Sequence, residues 1–225
     1  MTRLLASVTD PDEARLAAAG GADIIDLKNP AEGALGALPA AAIRKIRAIL
    51  PKAALSATIG DLPPQPGPVS EAVRRTAACG VDYVKIGFFP GGDLDATLAA
   101  LRPLTADCRL IAVLLADYLI ALPLLDAIAE CGFAGVMLDT ADKAKGPLTA
   151  IRPRPFLERF VNQAKERGLL TGLAGSLRLE DIDQLLPLAP DYLGFRGALC
   201  QKGRTGRLDP TRLTRIRERL NQEIQ

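Results

Sequence analysis

The 225-residue sequence predicts an α/β fold, a single (β/α)8 TIM barrel spanning residues 1–225. Three observations carry that expectation. Eight short apolar runs alternate with eight helical patterns, as in a parallel sheet wound with helices. The runs are continuously apolar, which suits strands covered on both faces. The length fits a compact barrel with little room for insertions. An open, doubly wound sheet is the alternative arrangement of the same elements.

The elements follow in order. A run near 3–8 leads into a helix near 10–20, opened by Thr9-Asp10-Pro11 and closed by Gly20 or Gly21. ADIIDLK, near 22–28, precedes a helix near 39–50. A run near 53–59 is followed by the proline-rich segment 61–68 and a helix near 68–79. That segment is long for a βα loop and is expected to be a stiff lid or interface loop at the active face. VDYVKIG, near 82–88, precedes a helix near 92–102; the run at 109–116 precedes one near 121–131. GVMLDT, near 134–139, precedes a helix near 155–168, and the run at 169–175 one near 179–188. DYLGFRG, near 191–196, precedes the last helix, near 209–222, which Asp209-Pro210 opens.

A weak internal repeat supports the barrel. Gly21-Ala22-Asp23, Gly80-Val81-Asp82 and Ala189-Pro190-Asp191 lead into three even-numbered strands; Cys131-Gly132 leads into the fourth. A unit of two βα modules recurs at roughly quarter-barrel spacing. The plainer reading is that Gly-x-Asp is convenient αβ-loop chemistry.

Composition bounds the function. A net charge of +2 argues against nucleic acid, and the basic stretch Arg204–Arg219 reads as a solvated helix face with Glu218 and Glu223 interspersed. No apolar run reaches the roughly 18 residues of a membrane span, and the N-terminus enters strand one without a signal peptide. Cys79, Cys108, Cys131 and Cys200 form no CxxC pair and are expected to be reduced packing thiols in a cytoplasmic protein. The apolar stretch Ile120–Ile128 points to a homo-oligomer.

The sequence contains no histidine, so the commonest acid–base group and transition-metal ligand are missing. No metal is expected. Neither a GxxxxGK[ST] loop nor a GxGxxG in strand–helix context is present, and no organic cofactor is expected. Chemistry falls to lysine, carboxylate, arginine, tyrosine and hydroxyl groups.

Such groups gather on the even strands: Asp26 and Lys28, Lys85, Asp139, and Arg196, each closing an apolar run. Asp26 and Lys28 share a strand face, and alternate strands of a barrel feed the same inner layer. Lys28 is the candidate nucleophile. Burial and the neighbouring cation Lys85 both favour a neutral amine, while Asp26 and Asp139 serve as proton shuttles. The alternative is a purely structural ring of ion pairs, Asp26–Lys85 and Asp139–Lys28. Gly175 and Ser176 after strand seven, and Arg196 and Gly197 after strand eight, fit the usual phosphate position of such a barrel. Gln201-Lys202-Gly203-Arg204 follows them.

The phrases SVTDPDEARLAAAGGADIIDLKNPAEGALGA, SATIGDLP, DYVKIG, VMLDTADK, LAGSL and GFRGALC, in this order along nearly the whole chain, resemble the (5-formylfuran-3-yl)methyl phosphate synthase family. The same family is called 4-(hydroxymethyl)-2-furancarboxaldehyde-phosphate synthase. The resemblance implies a cytoplasmic lyase acting on phosphates. It condenses two molecules of glyceraldehyde 3-phosphate through a lysine Schiff base, for methanofuran biosynthesis. Carried over by motif, the imine lysine is Lys28 in DLKNP. The supporting residues are Asp26, Lys85 in YVKIG, and Asp139 and Lys143 in DTADK, with Lys145 close by. The segment after Lys143 departs most from the family pattern. Asp26-Leu27-Lys28 also resembles the start of the DxKxxD motif of orotidine-phosphate decarboxylases, but position 31 is Ala. Another Schiff-base aldolase, similar to deoxyribose-phosphate aldolase, and a non-catalytic phosphate-binding barrel are the rival functions.

Overall fold

The computed structural model describes residues 1–222. Glu223, counted above with the solvated C-terminal face, lies outside the described residues. Eight parallel strands close in sequence order, β1 pairing with β2 on one side and β8 on the other. They are β1 (Arg3–Val8), β2 (Ile24–Leu27), β3 (Leu55–Thr58), β4 (Tyr83–Phe88), β5 (Arg109–Leu115), β6 (Gly135–Asp139), β7 (Leu170–Leu173) and β8 (Tyr192–Phe195). The principal helices are α1 (Pro11–Ala19), α2 (Ala40–Ile49), α3 (Pro66–Ala77), α4 (Leu94–Leu101), α5 (Leu124–Cys131), α6 (Arg154–Glu166), α7 (Ile182–Leu185) and α8 (Pro210–Asn221). The arrangement is a TIM barrel, and the open sheet is excluded by the β1–β8 pairing.

The continuous apolarity of the strands has its reason in two cores. One lies between strands and helices and includes Leu4, Leu27, Val84, Leu138 and Phe160. The other fills the barrel interior with Leu5, Ile24, Ile111, Val113, Met137 and Tyr192. Alternate residues of one strand serve opposite cores, so both faces are largely apolar, and the buried polar residues Ser7, Asp26, Ser56, Lys85 and Asp139 stand out against them.

Caps set several helix starts. Asp10 accepts hydrogen bonds from Asp12 and Glu13 N–H at 2.9 Å each, and Asp209 accepts from Thr211 at 2.9 Å. Both precede a proline at the first helical position. Three expectations need correction. The proline-rich segment is a loop only over 61–65: Pro66 begins α3, because a proline there has no N–H to lose. Residues 179–188 form short 3₁₀ and α pieces instead of one helix, with Pro187 breaking the run. In Ile120–Ile128 the helix starts only at Leu124, and Leu125 and Ile128 are buried; the exposed apolar residues are Tyr118 and Leu119 just before it. An unexpected helical turn, Leu148–Ile151, lies in the β6–α6 connection.

The Gly-x-Asp repeat has a physical role at the N-terminal end of the barrel. Asp23, Asp82 and Asp191 each donate a backbone N–H to the carbonyl of Leu4, Leu55 and Thr171, at 2.9 Å in every case. Each carboxylate in turn accepts the N–H of that same residue, at 2.7, 2.8 and 2.7 Å. Three adjacent-strand pairs are thus locked in register by a two-way clamp. Ala134, at the equivalent place before β6, keeps the backbone bond to Leu110 without a carboxylate.

Replacing Asp191 with Ala leaves the Thr171 N–H and hydroxyl proton without an acceptor in a fully buried position, although the hydroxyl oxygen still accepts the N–H of residue 191. The expected cost is about 1–3 kcal/mol, measured as a lower urea midpoint, with turnover per folded molecule unchanged. An unaltered midpoint would show that the clamp does not hold the barrel.

Candidate active site

Asp26 stands at the centre of the charged layer and is fully buried. Its register partners on both neighbouring strands are serines, Ser7 and Ser56. Ser7 donates to Oδ2 at 2.9 Å, Ser56 to Oδ1 at 2.7 Å, and Lys85 Nζ reaches Oδ1 at 3.0 Å. Burial alone raises a carboxyl's pKa. Here the charges of Lys85 and Lys28 and the bond from Ser56 outweigh it, and Asp26 is held below the ordinary carboxylate range. A permanent carboxylate therefore anchors Lys85 in the barrel interior.

Asp139 ends β6 and is shared by two lysines. Lys143 Nζ lies 2.6 Å from Oδ1, and Lys28 Nζ lies 3.3 Å from Oδ2. The Thr140 N–H also donates to Oδ1 at 2.7 Å. Lys143 has further bonds to the Thr140 carbonyl and, at 3.1 Å, its hydroxyl. Burial opposes ionisation of Asp139, but Lys143 and Lys28 overcome it and keep its pKa well below the usual range. For Lys143, burial, Lys28 and Arg204 depress the pKa against the pull of Asp139. The candidate set Asp26, Lys28, Lys85, Asp139 and Lys143 is thus one cluster. Both ion pairs of the structural reading, Asp26–Lys85 and Asp139–Lys28, are present within it. Lys145 is exposed, so the pairing with Asp139 distinguishes Lys143 from it.

These side chains line a cavity of about 390 Å³ at the C-terminal mouth of the barrel. Gly175, Ser176, Gly197 and Ala198, from the loops after β7 and β8, line it as well. Gly175 (φ 104°) and Ser176 (φ 49°) are both left-handed, and a Cβ at Gly175 would come within 3.0 Å of the Thr140 nitrogen. Consecutive N–H groups in such a bend form a concavity suited to an anion. The strained serine is the kind of backbone outlier that marks binding sites.

Arg196 has a different employment from the one expected. Its guanidinium meets Glu13 through Nη1 at 2.5 Å and Nη2 at 3.2 Å. It also donates to the carbonyls of Ser7, Arg204 and Gly206 at 3.2, 2.8 and 2.7 Å. Five N–H groups meet five acceptors, so none is left for a phosphate. Glu13 is itself buried and also accepts the N–H groups of Thr9 and Leu208 at 2.9 Å each. The pair fastens the β8–α8 loop to α1. Other residues that sequence reasoning passed over are Ser7, Ser56 and Thr140, which orient the charged groups. Their signal was legible: a hydroxyl inside an apolar strand needs a buried partner. Asp61 was equally unmarked. It accepts the N–H groups of Ala34 and Leu35 at 2.8 and 2.6 Å and holds the β2–α2 loop against the mouth.

Truncating Arg196 to Ala leaves the Glu13 carboxylate buried without its cation. The expected loss is about 3–5 kcal/mol of stability, seen as a large drop in thermal midpoint. A normal midpoint combined with a raised KM would instead return Arg196 to substrate binding.

The chain matches the 4-HFC-P synthase family over residues 4–217. A protein of Methylorubrum extorquens is 45% identical over 200 residues, covering 88% of this chain and 83% of its own. The (5-formylfuran-3-yl)methyl phosphate synthase of Methanopyrus kandleri is 40% identical over 216 residues, covering 89% of this chain and 90% of that one. The enzyme of the same name from Methanocaldococcus jannaschii is 36% identical over 232 residues, covering 96% and 98%. Among solved structures, a phosphoribosyl anthranilate isomerase from Thermus thermophilus superposes with a TM-score of 0.70 at 17% identity, over 97% of this chain and 98% of that one, a likeness of fold alone. With the family match spanning nearly all of the barrel and these identities sustained along it, the chain belongs to the 4-HFC-P synthase family.

Proposed function

We propose that this protein is a (5-formylfuran-3-yl)methyl phosphate synthase of methanofuran biosynthesis, condensing two molecules of glyceraldehyde 3-phosphate through an imine on Lys28. Membership of the family supports the synthase activity. The observation that carries the lysine assignment is the unequal hold on three amines. Lys143 has a carboxylate and two oxygens of Thr140, and Lys85 sits 3.0 Å from Asp26. Lys28 has a single 3.3 Å contact to Asp139 and lines the cavity. It is the amine most easily turned toward an aldehyde.

The chemistry balances without oxidation or reduction. Two three-carbon aldehydes supply the six carbons of a formylfuran carrying a CH₂–phosphate, with loss of one phosphate and two waters. Attack by Lys28 and loss of water give an iminium, which acidifies the adjacent carbon. Asp139, ionised beside Lys28, offsets the iminium charge. Lys143, whose amine deprotonates more readily than an ordinary lysine, takes and returns protons at that carbon. Gly175, Ser176, Gly197 and Ala198 cradle the phosphate retained in the product. No metal or organic cofactor enters this scheme. The substrate is a small phosphorylated molecule. Among the described residues no helix is long and apolar enough to cross a membrane.

Borohydride reduction in the presence of glyceraldehyde 3-phosphate should add mass to the peptide containing Lys28, while unreduced enzyme generates the ultraviolet absorbance of a furan. Label confined to Lys85 or Lys143 would overturn the lysine assignment. Trapping without any furan would point to an aldolase of another phosphorylated aldehyde.

Lys85 serves as a second proton carrier, positioned by Asp26. Lys85→Arg keeps the charge but cannot exchange a proton near neutral pH. Furan formation should fall on the order of 10²–10⁴-fold, with borohydride labelling of Lys28 retained. Substantial turnover by this variant would leave Lys85 a purely electrostatic role.

A further inference from the structure

The lining of the cavity is unevenly charged. Lys28, Lys85, Lys143 and Arg204 line it as cations against two carboxylates, Asp26 paired with Lys85 and Asp139 shared by Lys28 and Lys143. Arg196 is neutralised by Glu13, and Arg178 at the rim lies 3.7 Å from Glu180. Four cations against two carboxylates leave an excess of two positive charges, which suits an anionic ligand.

Arg204 is the cation with the most unused capacity. It sits half-buried on the β8–α8 loop, whose backbone Arg196 anchors through the Arg204 carbonyl. Its guanidinium makes one hydrogen bond among the described residues, from Nη2 to the Gly33 carbonyl at 2.6 Å, and has no carboxylate within ion-pair distance. The nearby carboxylate of Asp61 is spent on the Ala34 and Leu35 N–H groups. Most of Arg204's five donors therefore remain free for a planar, charged acceptor. Its backbone lies beside Gly197, and its side chain carries the guanidinium away to the Gly33 carbonyl in the β2–α2 loop, which follows the strand leading to Lys28. The backbone concavity of Gly175, Ser176, Gly197 and Ala198 belongs to the loops after β7 and β8.

On the function proposed above, two phosphates enter and one leaves. We infer that Arg204 is the binding group for the second phosphate, the one expelled during the reaction, in a subsite separate from the glycine-lined cradle. Two phosphate dianions repel strongly at close range, so one cradle does not serve both. In the elimination, the bond between carbon and the phosphate oxygen breaks and its electron pair departs with inorganic phosphate. The electrons are replaced from the C–H bond next to the iminium, whose proton passes to a neighbouring base. Nothing is oxidised or reduced overall. Arg204 stabilises the charge that develops on the departing oxygen, and its place at the half-exposed rim gives the phosphate a direct exit to solvent.

The test compares the wild type with Arg204→Gln and Arg204→Lys by three readouts: furan absorbance, borohydride labelling of Lys28 with glyceraldehyde 3-phosphate, and inhibition by inorganic phosphate. Arg204→Gln should keep the labelling, form furan roughly ten- to a hundredfold more slowly, and bind inorganic phosphate weaker by a similar factor. Arg204→Lys, which keeps the charge, should recover part of both losses. Unchanged furan formation and phosphate inhibition in Arg204→Gln would overturn the subsite. So would loss of labelling in parallel with furan, since Arg204 would then serve the first triose or the fold. A wild type that forms no furan would instead overturn the proposed function.

Discussion

Two buried carboxylates organise the mouth of this barrel. Asp26 and Asp139 lie almost wholly out of solvent, and an ion in such a position persists only with partners that replace water. Ser7, Ser56 and Lys85 do this for Asp26; Thr140, Lys143 and Lys28 do it for Asp139. Each carboxylate stays ionised because of its lysines, and each lysine is fixed in space because of its carboxylate. Five strands, β1 to β4 and β6, must hold their register for the set to exist. The aspartate clamps at the opposite end of the barrel secure three of the strand pairs.

The same arrangement resolves an apparent choice between structure and catalysis. Ion pairs that close a barrel and lysines that perform chemistry are alternatives only when every pair is equally tight. Here they are unequal. Asp26 holds Lys85 deep in the interior, while Asp139 divides its oxygens between Lys143 at 2.6 Å and Lys28 at 3.3 Å. Fixed neighbours around one loosely held amine make a preorganised site, in which the reactive group moves and its electrostatic surroundings do not.

The two arginines after β8 show how one loop divides its work. Arg196 and Arg204 are eight residues apart and both border the cavity. The first is saturated by Glu13 and three carbonyls and holds the loop in place. The second is carried over the mouth to the Gly33 carbonyl with its remaining donors open. Basic character alone does not separate an anchor from a ligand-binding group; the number of donors already spent does.

The sequence by itself determined the order and type of nearly every element, because a strand buried on both faces and a capped helix each write their period and ends locally. It also determined the charged layer. Asp26, Lys28, Lys85 and Asp139 sit at the ends of apolar runs, and strand alternation together with barrel closure sends them to one mouth. The recurring aspartates before the even strands were visible too, though not what they bind, since their partners belong to the preceding strands. Only the tertiary structure decided partnership. The expected phosphate role of Arg196 rested on loop position; its neighbour Glu13 is 183 residues away in sequence and emptied it of free donors. The proline-rich segment stays a loop over 61–65, but Pro66 begins α3 earlier than the helical pattern alone suggested. Alternation along a strand is a local property of the backbone. The acceptor that satisfies a buried cation is selected by the closed barrel, which brings distant segments within hydrogen-bond reach.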